Sequence, residues 1–246
     1  MSELKQHIAS AFDRDLEGVQ AQILKMGGLV EVAIHDAAKA LEARDEELAE
    51  RVRLGDSAID AMDEALNEEV ARLIALRQPI ASDLRVVLAV MRMSGNLERI
   101  GDLSKNLAKR TGVLAQMAPI NGSTSALRRM ARDVEMMLKD ALDAYIKRDE
   151  ALARDVIERD ADVDQMYNTL FREFLTFMLE DPRNITSCMH LHFIAKNIER
   201  MGDHVTSIAE QVVFLTSGRK PEDARVKADR TSTDAGLSPS LNGDED

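Results

Sequence analysis

The amino-acid sequence predicts an all-α protein built from two copies of a three-helix unit. Three observations lead to this prediction: the composition, the spacing of the apolar residues and an internal repeat. Ala, Leu, Glu, Arg and Met are abundant among the 246 residues, whereas there are only 12 Gly, 5 Pro and 3% aromatic residues. The abundant residues favour helices, and a sheet protein of this length would carry more aromatic and β-branched residues.

Apolar residues recur at intervals of three and four along most of the chain, as on the buried face of a helix. Pro79 and Pro182 interrupt two long periodic stretches. Asn121-Gly122-Ser123 predicts a turn, after which Ser123 or Thr124 would cap the next helix. These marks predict six helices, at about 3–42, 45–77, 81–115, 124–147, 149–180 and 183–217.

An internal repeat relates the two halves of the sequence. Asn96-Leu97-Glu98-Arg99-Ile100-Gly101-Asp102 is matched by Asn197-Ile198-Glu199-Arg200-Met201-Gly202-Asp203, with five of the seven positions identical and an offset of 101 residues. Upstream, Arg44-Asp45-Glu46 aligns with Arg148-Asp149-Glu150 at an offset of 104. A net deletion of three residues between these two landmarks reconciles the offsets. Self-similarity of this kind indicates a duplicated structural unit.

The repeat divides the chain into two predicted units and a tail. The first three-helix repeat is predicted at residues 1–117 and the second at 122–217. Residues 218–246 lose the apolar periodicity, and their acidic ending predicts a disordered tail.

Charge and hydropathy exclude several classes of protein. The formal net charge of −12 disfavours a nucleic-acid partner, because a phosphate backbone would be repelled. Cys188 is the only cysteine, so no intrachain disulfide forms, which is compatible with a reducing compartment. The longest apolar run, from Val86 to Met91, is too short to cross a bilayer, and the N-terminus lacks a signal-peptide core. We therefore expect a cytoplasmic protein without direct membrane insertion.

Four pairs of acidic residues with i,i+4 spacing lie at equivalent positions on the last two helices of each half. With 44 acidic residues in 246, about eight such pairs arise by chance, so the equivalence matters more than the spacing. Residues four apart share a helix face, and a short connection makes the two helices antiparallel neighbours. Each half should then gather four carboxylates: Asp56, Asp60, Glu98 and Asp102 in the first quartet, and Asp160, Asp164, Glu199 and Asp203 in the second.

Such crowding of like charges invites a compensating cation, although a solvated charge network is the alternative. Oxygen ligands suit Mg²⁺, Ca²⁺ or Mn²⁺, and iron is also a candidate. No Cys/His cluster is present, so zinc of the closed structural kind is disfavoured, and zinc stays a candidate only through the carboxylates. His192 and His204 lie near the second quartet, but ordinary packing is the favoured reading for both.

Glycine and arginine accompany the quartets in both copies. Gly101 and Gly202 lie inside predicted helices, where glycine costs roughly 1 kcal/mol relative to alanine. They indicate close approach of another helix, room for an ion, or packing alone. Arg99 and Arg200 would hold the carboxylates in place through charge-assisted hydrogen bonds. No catalytic residue is assigned, since neither a Gly-rich phosphate loop nor a Glu-x-x-His motif occurs.

At the two N-x-E-R-x-G-D motifs the sequence resembles the PhoU family, over about residues 1–217. The resemblance implies two three-helix bundles related by pseudo-twofold symmetry, often dimeric. It also implies divalent metal binding through the two quartets. Leu103 and Ser104 stand where the second copy has His204 and Val205, so the two sites are expected to differ in affinity.

The resemblance further implies a function in phosphate homeostasis. The protein would be a negative regulator of the phosphate regulon that links the ATPase subunit of the high-affinity phosphate ABC transporter to a sensor histidine kinase. Two other hypotheses stay open at the level of sequence. One is a metal-dependent enzyme that uses the clustered carboxylates, and the other is a helical phosphotransfer module that uses His35.

Overall fold

The computed structural model describes residues 2–219 of the chain, with side chains from residue 14 onward. All regular structure in this part of the chain is helical. A short 3₁₀ helix, Pro182–Asn184, precedes the last helix. Residues 220–246 of the predicted disordered tail lie outside the described residues. The six α-helices are α1 (Ser2–Ala43), α2 (Glu46–Arg77), α3 (Ser82–Ala115), α4 (Ser123–Lys147), α5 (Glu150–Glu180) and α6 (Ile185–Ser217).

The helix ends agree with the predicted ones to within a residue, except at the start of α6. This helix begins at Ile185 because Pro182 opens a 3₁₀ turn, in which the Arg183 backbone N–H donates to the side chain of Asp181 at 3.0 Å. The predicted cap of α4 is also wrong. Gly122 is the N-cap, at φ +81°, and no side chain caps this helix. Glycine adopts this left-handed conformation without steric cost.

The repeated Arg-Asp-Glu triplet builds the same turn in both halves. Arg44 and Arg148 have φ of 56° and 53°, so each ends a helix in the left-handed conformation. Each following aspartate caps the next helix: Asp45 accepts from the Leu48 N–H at 2.9 Å, and Asp149 accepts from the Leu152 N–H at 3.0 Å. This part of the sequence repeat is therefore structural.

Helices α1–α3 pack against one another, and so do α4–α6. The two bundles meet through α1 against α4 and α3 against α6, and the buried apolar residues form one continuous core. The set of helix contacts is unchanged when α1–α3 are exchanged for α4–α6, as pseudo-twofold symmetry requires. The predicted fold class is confirmed. None of the described helices is both long enough and apolar enough to cross a membrane.

Helices α3 and α6 run antiparallel along the seam between the bundles. Arg92 contacts Gln211 at 3.4 Å near one end, and the Arg110 guanidinium lies 4.5 Å from the Phe193 ring centroid near the other. These two pairs are equivalent in the repeat, because the 101-residue offset relates Arg92 to Phe193 and Arg110 to Gln211. Between them, both N-x-E-R-x-G-D motifs lie close to the symmetry axis.

Candidate metal centre

The α2–α3 hairpin brings the first quartet together. Asp56 and Asp60 lie one turn apart on α2, and Glu98 and Asp102 lie one turn apart on α3. One carboxylate oxygen from each of Asp56, Asp60 and Asp102 lies within 4.8 Å of the other two. Glu98 adjoins this group, since, in addition to burial, the neighbouring Asp102 carboxylate raises its pKa. The expected convergence therefore occurs, with three carboxylates at the centre and the fourth at its edge.

Asp56 is the buried member of this group, with only 3% of its surface exposed. Its Oδ2 accepts a hydrogen bond from Lys105 Nζ at 2.5 Å, and the same ammonium lies 3.8 Å from Asp102 Oδ1. Its Oδ1 accepts no hydrogen bond within the described part of the chain. A buried carboxylate oxygen without a partner is costly, so this atom is suited to a cation.

The crowding of charge appears in the acidity of the neighbouring groups. Partial loss of hydration raises the pKa of Asp60, the Asp56 carboxylate raises it further, and Lys105 opposes the shift. Burial likewise raises the pKa of Glu98, with Asp102 adding to the shift and Arg99 opposing it. The hydrogen bond to Asp56 raises the pKa of Lys105, so its ammonium stays charged at neutral pH. Like charges held together in this way favour binding of a further positive charge.

The two motif glycines allow the helices to come close to these carboxylates. A Cβ at Gly101 would lie 3.3 Å from Asp56 Oδ1 and 3.0 Å from Ile59 Cδ1. A Cβ at Gly202 would lie 3.1 Å from Asp160 Oδ1. Both glycines thus sit directly against the first aspartate of the paired helix. The close-approach reading of these residues is the one that the geometry favours.

The second quartet is more deeply buried than the first. Asp160, Asp164 and Glu199 are 3%, 1% and 2% exposed, whereas Asp60 in the first quartet is exposed. Lys196 Nζ lies 2.9 Å from Glu199 Oε2, an ion pair by distance that lacks the orientation of a hydrogen bond.

Burial also changes the acidity of the second quartet. It raises the pKa of Glu199, Lys196 opposes this shift, and the carboxylates of Asp203 and Asp164 add to it. The second quartet therefore combines greater burial with its own nearby ammonium.

The two motif arginines lie at the outside of the quartets. Arg99 is 63% exposed, and its nitrogens lie 3.4 Å from Glu98 Oε2 and 3.6 Å from Asp102 Oδ2, distances of ion pairs. Arg200 is exposed and makes no ion pair within 4.0 Å among residues 14–219. The predicted positioning role thus has contacts to support it only at Arg99.

The histidines near the second quartet are engaged elsewhere. His204 Nδ1 lies 2.9 Å from Asn96 Oδ1 across the α3–α6 seam, and burial lowers the pKa of His204. The His192 ring packs between those of Tyr167, Phe171 and Phe193. These contacts agree with the packing roles expected for both histidines.

Sequence reasoning missed the two lysines that pair with the quartets. Lys105 lies three residues after Asp102, and Lys196 lies three residues before Glu199, spacings that share a helix face. This spacing could have predicted the two ion pairs. Comparison of the repeats did not reveal them, because the two lysines are not at equivalent positions.

A second concave surface lies between α1 and α4, with a volume of about 550 Å³. The α4 wall carries Arg128, Arg129, Arg132 and Lys139 together with Glu135, and the α1 wall carries Glu31 and Glu42, of which Glu42 pairs with Arg128. His35 lies here, with Nδ1 3.4 Å from Glu135 Oε2. The sequence did not predict this cleft, because its walls come from helices about 100 residues apart.

The residues of the first quartet fit a hard divalent cation. Three carboxylates supply convergent oxygens, and one buried oxygen lacks a partner. Asp56, Asp60 and Asp102 would hold the ion, with Glu98 beside them. A bound cation would neutralise the crowded charge and tie α2 to α3.

Fold and site together define a class of protein: a duplicated three-helix protein whose two long hairpins each carry an acidic quartet. The family model described as the PhoU domain matches this chain twice, at residues 23–111 and 127–212. The chain belongs to the PhoU family.

Curated relatives and solved structures extend this result over most of the chain. A phosphate-specific transport system accessory protein PhoU homolog of Rhizobium meliloti is 44% identical over 227 residues, covering 92% of this chain and 96% of that protein. The PhoU homolog of Zymomonas mobilis is 46% identical over 222 residues, which cover 90% of this chain and 93% of that protein.

Two crystal structures share the fold. PhoU from Pseudomonas aeruginosa has a TM-score of 0.82 at 38% identity, covering 85% of this chain and all of that one. The phosphate transport system regulatory protein PhoU from Streptococcus pneumoniae has a TM-score of 0.78 at 30% identity, covering 86% of this chain and all of that one.

Proposed function

We propose that this chain is a non-enzymatic accessory protein of phosphate transport, located in the cytoplasm, that acts as a negative regulator of the phosphate regulon. The observation that carries the proposal is the PhoU domain match in both halves, together with relatives named as accessory proteins of phosphate-specific transport. The absence of an assignable nucleophile–base pair in the sequence supports a role without turnover.

The proposed mode of action is that of an adaptor, acting as a homodimer. It would link the ATPase subunit of the phosphate ABC transporter to the phosphate-sensing histidine kinase, as the family resemblance implies. The cleft between α1 and α4 supports such a role, because charged side chains of both signs line its walls. A partner with a complementary arrangement of charges would be attracted to this surface and oriented by it.

Deleting the gene should test this function directly. We expect phosphate-starvation genes to be expressed under phosphate-rich conditions, and expression to be repressed again when the wild-type gene is returned. The measurement is a transcriptional reporter together with phosphate uptake. Unchanged expression and unchanged uptake in the deletion strain would contradict the proposal.

We also propose that divalent cations bind at the acidic quartets. The convergent oxygens of Asp56, Asp60 and Asp102 support this proposal. Elemental analysis of protein purified without chelator should show less divalent metal in a variant whose first quartet carries four amides, with helical content retained. Equal metal content in both proteins would show that these residues are not the ligands.

A further inference from the structure

We propose that Lys105 is the resident counter-cation of the first quartet, and that a divalent cation binds there by displacing the Lys105 ammonium from Asp56. Lys105 would then be the residue that makes the first site weaker than its ligands alone would allow. This inference rests on the proposed metal binding at the quartet.

The Lys105 ammonium is held by the same carboxylates that a bound cation would use. Nζ lies 2.5 Å from Asp56 Oδ2 and 3.8 Å from Asp102 Oδ1, so it hydrogen-bonds to a carboxylate of α2 and forms an ion pair with one of α3. Divalent cations bind carboxylate oxygens at about 2.0–2.6 Å. An ammonium and a divalent ion held by the same few carboxylates repel each other strongly at these short distances, even when they use different oxygens of Asp56. Binding of the ion therefore favours departure of the ammonium.

The side chain of Lys105 is free to make this exchange. It is 42% exposed, whereas the Asp56 carboxylate that it contacts is 3% exposed. A long, flexible lysine stem can swing its ammonium into water, where it is well hydrated. The aspartate cannot follow it, because its carboxylate is buried between α2 and α3 and lies against Gly101. The acidic cluster would therefore stay in place and accept the ion.

The second half of the molecule provides the comparison that singles out Lys105. At the equivalent position the chain has Thr206, which is fully buried and carries no charge. The lysine near the second quartet, Lys196, comes from a different turn of the helix and pairs with Glu199, the equivalent of Glu98. The duplicated carboxylates are thus matched in sequence but differ in their counter-cation.

The test compares Mn²⁺ binding by metal-free protein in the wild type and in Lys105→Met, using titration calorimetry. The methionine keeps most of the stem and removes the charge. We expect the Asp56-dependent dissociation constant to fall by about tenfold or more, as expected from loss of a charge-assisted hydrogen bond to a competitor. Lys105→Gln should also lower the dissociation constant. Binding at the second quartet contributes the same background to every protein.

Two matched variants make the result specific. Lys109→Met removes one charge from the next turn of α3 and should leave the dissociation constant within about twofold, because exposed charges are screened. Asp56→Asn combined with Lys105→Met should abolish the gain. Without metal, Lys105→Met should also lower the melting temperature, and adding Asp56→Asn should restore part of it, because the buried carboxylate no longer needs a counter-charge.

The outcomes separate the two proposals. Equal affinity in the wild type and Lys105→Met, lost in both on Asp56→Asn, would overturn the role of Lys105 and leave the metal site standing. No Asp56-dependent binding in any protein would overturn both. If Lys109→Met lowered the dissociation constant as much as Lys105→Met does, the effect would be one of overall charge. This result too would overturn the role of Lys105.

Discussion

At the scale of single residues, the motif glycines explain how the acidic quartets are built. Gly101 and Gly202 occupy the same position in both repeats, and in each case the space of a missing Cβ faces an aspartate oxygen of the paired helix. Glycine lowers helix stability by about 1 kcal/mol relative to alanine, so its presence needs a reason from packing. That reason is the close approach of α3 to α2 and of α6 to α5, which puts carboxylates from two helices within reach of one another.

Gly101→Ala should be less stable than the matched variant Gly95→Ala on the same helix. A Cβ at Gly95 meets nothing within 4 Å, so alanine there should gain up to about 1 kcal/mol of helix propensity. At Gly101 the new methyl would press on Ile59 and Asp56, which should cost about 1–2 kcal/mol. Urea unfolding monitored by circular dichroism measures both. Equal stabilisation by the two alanines would contradict the close-approach role.

At the scale of the helices, the α3–α6 seam connects the two copies of the motif. The His204–Asn96 contact at 2.9 Å joins a residue of the second motif region to one of the first. Asn96 Nδ2 donates to the Arg92 carbonyl at 2.7 Å, so the Asn96 oxygen is the acceptor and His204 Nδ1 donates. Neutral His204 with this tautomer satisfies the contact. Protonation would place a further charge close to Arg99 and Arg200.

This arrangement predicts that the stabilising contribution of His204 is lost in mild acid. Burial lowers the pKa of His204 from its ordinary value of 6.5, with the nearby arginines adding to the shift and Asp203 opposing it. Below pH 6.5 the unfolded chain therefore binds more protons than the folded one, so the stabilising contribution is present above that pH and is lost as pH falls through the folded pKa. His204→Gln keeps a hydrogen-bond donor but does not titrate, so the stability of this variant should fall less as the pH is lowered.

Melting temperatures between about pH 5 and 8 measure this effect, since histidines titrate in that range. His35 lies on α1, outside the α3–α6 seam, and contacts Glu135 of α4, so His35→Gln is the control and should keep the decline caused by His204. Burial and Arg110 also lower the pKa of His190, so part of the decline should persist in His204→Gln. A curve for His204→Gln that coincides with the wild type would show that this contact does not contribute to the pH dependence.

At the scale of the whole molecule, the two repeats share one core instead of standing as separate domains. Contacts of α1 with α4 and of α3 with α6 join buried residues from both halves. Each repeat therefore buries part of its apolar surface only against the other. The stability of either half should depend on the presence of its partner, and the two should unfold together.

The placement of the tyrosines allows this to be measured. Tyr145 and Tyr167 are the only tyrosines, the chain has no tryptophan, and both tyrosines lie in the second repeat. We expect urea transitions followed by tyrosine fluorescence and by circular dichroism, which reports on all six helices, to coincide. A biphasic dichroism curve in which fluorescence follows only one step would show that the repeats unfold independently.

The sequence by itself determined the helices, the duplication and the identity of the acidic residues. Helix formation follows from local periodicity and from turn residues such as Gly122 and Pro182, and i,i+4 spacing places two carboxylates on one face whatever the tertiary structure is. The Arg-Asp-Glu turns are likewise local, since each aspartate caps the helix that immediately follows it.

Only the tertiary structure decided how those carboxylates are arranged and what lies against them. The packing of α2 on α3 sets three oxygens within 4.8 Å, leaves Glu98 at the edge and directs Lys105 onto Asp56. The packing of α5 on α6 buries the second quartet more deeply than the first. The cleft between α1 and α4 is decided in the same way. Such features depend on the rotation and offset of helices distant in sequence, and these are set by packing of the whole core, which no local pattern encodes.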